Sequence, residues 1–205
     1  ESVKAGYIES IKITPDIDEK VVKISFKSSN KSAKLNLKNQ IYEIEADKEN
    51  VISIKDMRLW SPEDPYLYEF VISNEVDEVS SYFAMRKVSL MKNEKGMKVI
   101  ALNNKPYFMK GVLDQGYYQD GLLTPNSDED YINDINLIKS LGFNVSRKHI
   151  KIESMRWYYH CDRLGIIVWQ DFVSGGEDYK FMTISSPLVT KLHSKDNKYK
   201  KFSRL

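Results

Sequence analysis

The chain has 205 residues, 41% hydrophobic and 12% aromatic, enough for a buried core in one large domain or two ordinary ones. Lys and Arg number 31 against 29 Asp and Glu, and a formal net charge of +2 gives no electrostatic case for a nucleic-acid or membrane-surface partner. One cysteine, Cys161, excludes an internal disulfide framework and most cysteine-rich zinc sites, and no apolar run approaches the ~20 residues of a membrane span. The first residues do not read as a signal peptide. A chain opening at Glu1 also suits a secreted parent whose leader has been removed, so the compartment, cytoplasmic or secreted, stays open.

The first ~90 residues carry the period of two that marks half-buried strands. In Val22-Lys23-Ile24-Ser25-Phe26-Lys27 apolar side chains take one face and polar ones the other. Ala33, Leu35 and Leu37 alternate in the same way, as do Tyr42, Ile44 and Ala46, and later Tyr68, Phe70 and Ile72. Polar breaks fall at Pro15-Asp16, Ser28 to Ser32, Asp47 to Asn50 and Asn74 to Glu78. Short strands at this spacing, with no helical stretch among them, predict a small antiparallel sandwich.

From about residue 97 the grammar changes. Val99 to Leu102 and Tyr107 to Phe108 flank Asn103-Asn104-Lys105-Pro106, which reads as a hairpin. A strand from Tyr107 to Leu113 then runs into the polar loop Asp114 to Asn126. Ser127 is the expected N-cap of a helix with Asp128, Glu129 and Asp130 in its first turn, where the helix dipole favours acids. Tyr131, Ile135, Ile138 and Leu141 mark its apolar face, and Gly142 its stop. A strand from Phe143 to Ile150 follows, then a helix from about Ser154 to Leu164 stopped by Gly165. The strand Ile166 to Trp169, ending in Gln170-Asp171, completes a strand-helix-strand-helix-strand order. That order predicts a parallel sheet buried on both faces. The Ser174-Gly175-Gly176 stretch and the basic tail from Lys191 to Arg204 read as solvated loop. Three parallel strands are either a small open sheet or the front of a longer barrel, since an eight-stranded barrel needs roughly 250 residues.

Five segments bear on that choice. They are Leu59-Trp60-Ser61-Pro62-Glu63-Asp64-Pro65-Tyr66-Leu67-Tyr68, Phe83-Ala84-Met85-Arg86-Lys87-Val88, Leu102-Asn103-Asn104-Lys105-Pro106-Tyr107-Phe108-Met109-Lys110-Gly111-Val112, Leu141-Gly142-Phe143-Asn144 to Arg147, and Cys161-Asp162-Arg163-Leu164-Gly165-Ile166. In this order they resemble glycoside hydrolase family 2, which includes β-galactosidases, β-glucuronidases and β-mannosidases. The resemblance implies a multidomain β plus α/β protein: an immunoglobulin-like β-sandwich over residues 1–92, then over residues 93–205 the first three βα units of a (β/α)8, or TIM, barrel. It also implies an N-terminal jelly-roll domain and the remainder of the barrel as missing partners, a carbohydrate substrate, and no cofactor or metal. A homo-oligomer is left open. The family's Asn-Glu acid/base pair and its later glutamate nucleophile have no counterpart here, so no catalytic residue is assigned and the chain alone is expected to be inactive.

Retaining glycoside hydrolysis needs two carboxyl groups about 5 Å apart, projecting from different strand ends. The strand-end acids are Asp114 and Asp171, and sugar-hydroxyl contact is the expectation for them rather than the catalytic pair. Gln115 accompanies Asp114 where strand one meets its loop, where ordinary loop polarity is the competing reading. Arg147 and His149 are two apart and share a strand face, as do Trp169 and Asp171. Arg147 suits bracing a carboxylate and His149 donating to a hydroxyl, with a satisfied rim ion pair as the competing reading, and Trp169 suits either stacking on a sugar ring or filling the core. These six residues are the candidate substrate-binding set. His160-Cys161-Asp162 face different ways on a helix and read as packing, and Trp60 with Tyr66 to Tyr68 reads as packing between sandwich and barrel. Tyr117-Tyr118 is placed to line the sugar site, and Tyr158-Tyr159 to fill the core.

The leading reading is therefore part of a retaining β-glycosidase acting on terminal β-galactosides or β-glucuronides. The rival is a non-catalytic carbohydrate-binding or interaction module with a degenerate half barrel.

Overall fold

The computed structural model describes residues 3–172; the Ser174-Gly175-Gly176 stretch and the basic tail lie outside these residues. Seven strands come first: β1 (Ser10–Asp16), β2 (Val21–Lys27), β3 (Ser32–Leu37), β4 (Gln40–Glu45), β5 (Asn50–Ser53), β6 (Tyr68–Ser73) and β7 (Glu78–Phe83). They form two antiparallel sheets, β1-β2-β5 and β4-β3-β6-β7. The period of two becomes burial directly. Val22, Ile24 and Phe26 from one sheet meet Leu35, Leu37, Phe70 and Ile72 from the other in one core. Each such side chain, fully buried, contributes roughly 1.5–3 kcal/mol of transfer free energy. Tyr68 and Phe83 stack with ring centroids 5.0 Å apart inside that core.

Pro15 and Asp16, expected as a break, are the last two residues of β1, paired with Val22 and Val21. Proline lacks a ladder donor, and β1 tolerates it because it is the outer strand of its sheet.

A third antiparallel sheet follows, β8 (Val88–Lys92), β9 (Lys98–Leu102) and β10 (Lys105–Pro106), in the order β10-β9-β8. The hairpin expected at Asn103-Asn104 is tighter than its sequence suggested. Leu102 pairs with Lys105, and Asn103 and Asn104 sit at φ 53° and 63°, the positive values a two-residue turn of the primed type requires.

The last described unit comprises β11 (Gly111–Asp114), α1 (Asp128–Ser140), β12 (Val145–Lys148), α2 (Met155–Leu164) and β13 (Ile167–Gln170). The three strands are parallel in the order β11-β12-β13, as the sequence grammar predicted. Tyr107 to Leu113 contracts to a strand beginning at Gly111, so Tyr107 to Met109 lead into it without joining it. The side chain of Asp130 accepts the backbone N–H groups of Asn126 and Ser127 at 2.9 and 3.2 Å, fixing the entry to α1. Tyr131 and Ile135 of α1 and Trp157, Cys161 and Ile166 around α2 form a second core, with Val168 of β13 against it.

Two expectations need correction. Leu141 caps α1 instead of facing the core and is 65% exposed. Nor is the parallel sheet buried on both faces among the described residues: the helices cover one, while Leu113 and Trp169 on the other are 55% and 50% exposed.

The sandwich and the α/β unit meet at Asp162. Its carbonyl accepts the Trp60 indole N–H at 2.7 Å, and its carboxylate accepts Arg86 at 2.5 Å and the Tyr82 hydroxyl at 3.1 Å. Arg86 also lies 4.6 Å from the Trp60 ring centre. Gly165 ends α2 at φ 81°, where an added Cβ would lie 2.5 Å from the backbone oxygen of Pro62 in the sandwich. No helix among the described residues is long and apolar enough to cross a membrane.

Candidate functional site

Side chains alternate across a strand, so each parallel strand sends odd and even positions to opposite faces. Leu113, Arg147 and Trp169 are mutually in register and form one row on the face the helices leave open. Gln115, His149 and Asp171 follow two residues on, at the C-terminal ends of the strands. There the row is tied into pairs. Arg147 donates from Nε to Asp171 Oδ1 at 3.1 Å and from Nη2 to Oδ2 at 3.0 Å. This two-pronged contact holds the Asp171 carboxyl below the usual carboxylate range and raises the Arg147 guanidinium. Gln115 Nε2 donates to His149 Nδ1 at 2.9 Å, the arrangement of the tautomer that carries its proton on Nε2, and that N–H has no hydrogen-bond partner among the described residues.

The even positions behave differently. Asp114, Ser146, Lys148 and Gln170 turn toward the helix layer. Lys148 is 0% exposed, donates to Asp114 Oδ2 at 2.7 Å and to Glu153 Oε1 at 3.1 Å, and lies 4.2 Å from the Trp157 ring centre. Asp114 Oδ2 also accepts Ser146 Oγ at 3.3 Å, and its Oδ1 accepts the Gly116 N–H at 2.7 Å. Lys151 adds a second cation, 2.8 Å from Glu153 Oε1, and donates to the carbonyls of Gly116 and Leu123 at 2.7 Å each. Two cations thus face two carboxylates, the arrangement that makes buried charge tolerable.

Five of the six sequence-derived candidates, Gln115, Arg147, His149, Trp169 and Asp171, therefore lie together on the open face. Asp114 lies across the sheet from them, engaged with Lys148. Trp169 is half exposed and does not fill the core. Sequence reasoning missed Lys148, Lys151 and Glu153. The parity that grouped Arg147 with His149 also placed Lys148, between them, on the side of the helix, and that was the available signal.

The remaining candidates have structural partners. His160 Nε2 meets Asp128 Oδ2 at 3.1 Å, and Cys161 is fully buried, with burial pushing its thiol up. Tyr118 turns from the strand-one loop toward the helix core and packs edge-on against Tyr131, while Tyr117 is 68% exposed. Tyr158 packs against that core and its hydroxyl donates to Gln170 at 2.5 Å. No group of metal-ligating side chains occurs among the described residues.

Comparison with known proteins gives a consistent set. The family described as Glycosyl hydrolases family 2 matches residues 6–86. A beta-galactosidase of Leuconostoc mesenteroides is 30% identical over 121 residues, covering 56% of this chain and 11% of that enzyme. One of Oenococcus oeni is 31% identical over 125 residues, covering 57% of this chain and 11% of that enzyme. The chain thus matches only about a tenth of the length of these curated relatives. Among solved structures, the beta-D-glucuronidase of Dictyoglomus thermophilum superposes with TM-score 0.73 at 23% identity, over 85% of this chain and 31% of that one. The beta-glucuronidase of Faecalibacterium prausnitzii gives TM-score 0.68 at 24% identity, over 80% and 27%. At these identities the structures establish a shared fold.

Proposed function

We propose that this chain, a member of glycosyl hydrolases family 2, is the part of a retaining β-glycosidase that joins an immunoglobulin-like domain, residues 1–92, to the first three βα units of a (β/α)8 barrel, residues 93–205. The whole enzyme hydrolyses terminal β-linked sugars of the galactoside or glucuronide class. The acid/base and nucleophile come from barrel strands other than β11, β12 and β13, and a jelly-roll domain precedes the sandwich.

One observation carries this reading: Gln115, Arg147, His149, Trp169 and Asp171 gather at the C-terminal ends of three consecutive parallel strands, on the uncovered face. Barrel active sites form at that end of the strands. The exposed Trp169 indole offers a stacking surface for the apolar face of a pyranose, His149 Nε2–H a donor, and the Asp171 carboxylate an acceptor whose charge Arg147 balances. Neither strand-end acid is poised as nucleophile or proton donor. Asp171 is paired with Arg147, and Asp114 lies on the other side of the sheet.

The test is titration of the 205-residue chain with methyl β-galactopyranoside and methyl β-glucuronide, following the Trp169 indole and His149 ring by NMR. Saturable shifts of both signals with one sugar, with the His149 shift lost in Trp169→Ala, support the site. A folded chain whose two signals ignore both sugars overturns it, and hydrolysis of an aryl β-glycoside by this chain alone overturns the division of labour.

A further inference from the structure

Lys148 is fully buried, yet it lies one residue from each of Arg147 and His149 on the open face. Its cation draws together groups from separate segments: Asp114 at the end of β11, Glu153 in the link between β12 and α2, and the ring of Trp157 in α2. The tethers bracket the residues of the opposite face. Gln115 stands between Asp114, fixed by Lys148, and Gly116, whose N–H is held by Asp114 and whose carbonyl is held by Lys151. His149 follows Lys148 directly, and its N–H donates to the Asp114 carbonyl at 2.8 Å. Both backbones that present the Gln115–His149 contact are therefore anchored from beneath.

We propose that Lys148 is a positioning residue. Acting through Asp114 and Glu153 on the buried side of the sheet, it fixes segments 114–116 and 148–149 so that Gln115 and His149 meet on the open side with His149 Nε2–H directed outward. That this donor meets a sugar hydroxyl rests on the site reading given above. The positioning of the pair does not.

Gln115 accounts for the chemistry. Its amide nitrogen faces Nδ1 and only donates, so this arrangement goes with a His149 proton on Nε2, and the Gln115–His149 contact reports whether the pair is held. The His149 ring and the Gln115 side-chain amide in the 205-residue chain are read by NMR at fixed pH, the ring assigned with His149→Gln. Lys148→Met is compared with wild type and with Lys148→Met/Glu153→Gln, the balanced variant, which leaves one carboxylate, Asp114, and one cation, Lys151, in the cluster. Free histidine already favours the proton on Nε2, so the decisive signal is the contact itself: we expect wild type to show cross-relaxation between the Gln115 side-chain amide and the His149 ring and both variants to lose it, with the amide signals of the sandwich unchanged. Should Lys148→Met unfold, the balanced variant carries the comparison. A folded balanced variant with wild-type cross-relaxation overturns the proposal. Sugar added to the same samples separates the two readings: a wild-type chain that holds the contact but ignores sugar removes the sugar site and leaves the positioning role standing.

Discussion

Arg147 and Asp171 meet through two parallel hydrogen bonds, 3.1 and 3.0 Å long, across the open face of neighbouring parallel strands. Lysine at 147 would keep the charge and lose the fork. We expect Arg147→Lys and Asp171→Asn each to weaken the sugar-induced shift of Trp169 about tenfold, because each leaves one polar group without its partner. Titration by NMR, with the dispersion of core signals as a folding control, checks this.

The charges beneath the sheet act on stability. Removing the Lys148 cation leaves Asp114 and Glu153 short of a buried partner, and breaking a buried ion pair in this way costs about 3–5 kcal/mol. Urea unfolding should show a loss of that size in Lys148→Met and a smaller loss in Lys148→Met/Glu153→Gln.

Gly116 tests the same region without changing its charge. It sits at φ 64°, and an added Cβ would lie 2.1 Å from Glu153 Oε1 and 2.6 Å from Lys151 Nζ. Those atoms end flexible side chains, but ion pairs and hydrogen bonds hold them in place. Gly116→Ala should therefore lose about 1–3 kcal/mol in urea unfolding, through backbone strain and displacement of the network together.

Trp60 and Arg86 both reach Asp162 across the junction between the sandwich and the α/β unit. Trp60→Phe deletes the indole N–H and strands the Asp162 carbonyl, a loss of about 1–3 kcal/mol. With Arg86→Met it should form a coupled pair, and a double-mutant cycle is expected to give an interaction energy of about 0.5 kcal/mol or more. Additive losses would mean that the two contacts act independently.

Asp128 gives a pH dependence whose sign is determined. Hydrogen bonds from Arg156 and then His160 hold its carboxyl far below its ordinary value of 3.8. A depressed carboxyl contributes stability that is complete above the ordinary value and is lost as pH falls through the folded one. Acid should therefore loosen α1 from α2 only below about pH 4, and Asp128→Asn should remove that step from an acid titration followed by hydrogen exchange.

Alternation alone made the sandwich legible: Val22-Ile24-Phe26 and Tyr68-Phe70-Ile72 occupy the core as their spacing required. β1 escaped notice because Pro15 reads as a break unless the strand is known to be an outer one, and sheet order is not local information. At the site, parity grouped Arg147 with His149 and Trp169 with Asp171, and those pairs do share a face. Asp114 was placed with them by its position at a strand end. Its side chain turns the other way because Asp114 is an even position, in register with Lys148, and alternation sends both to the helix side; what the sequence does not show is the buried cation that it meets there. A pairing between residues 34 positions apart leaves no trace in a local window.

The end of α2 has a consequence for how this molecule can vary. At Gly165 the sandwich backbone occupies the volume a β-carbon would need, 2.5 Å away at Pro62, and the residue's left-handed turn already excludes ordinary side chains. Any side chain there would act as a helix-end defect and as a wedge driven between the two halves of the molecule. At position 165 the close approach of the two halves therefore depends on a residue with no β-carbon.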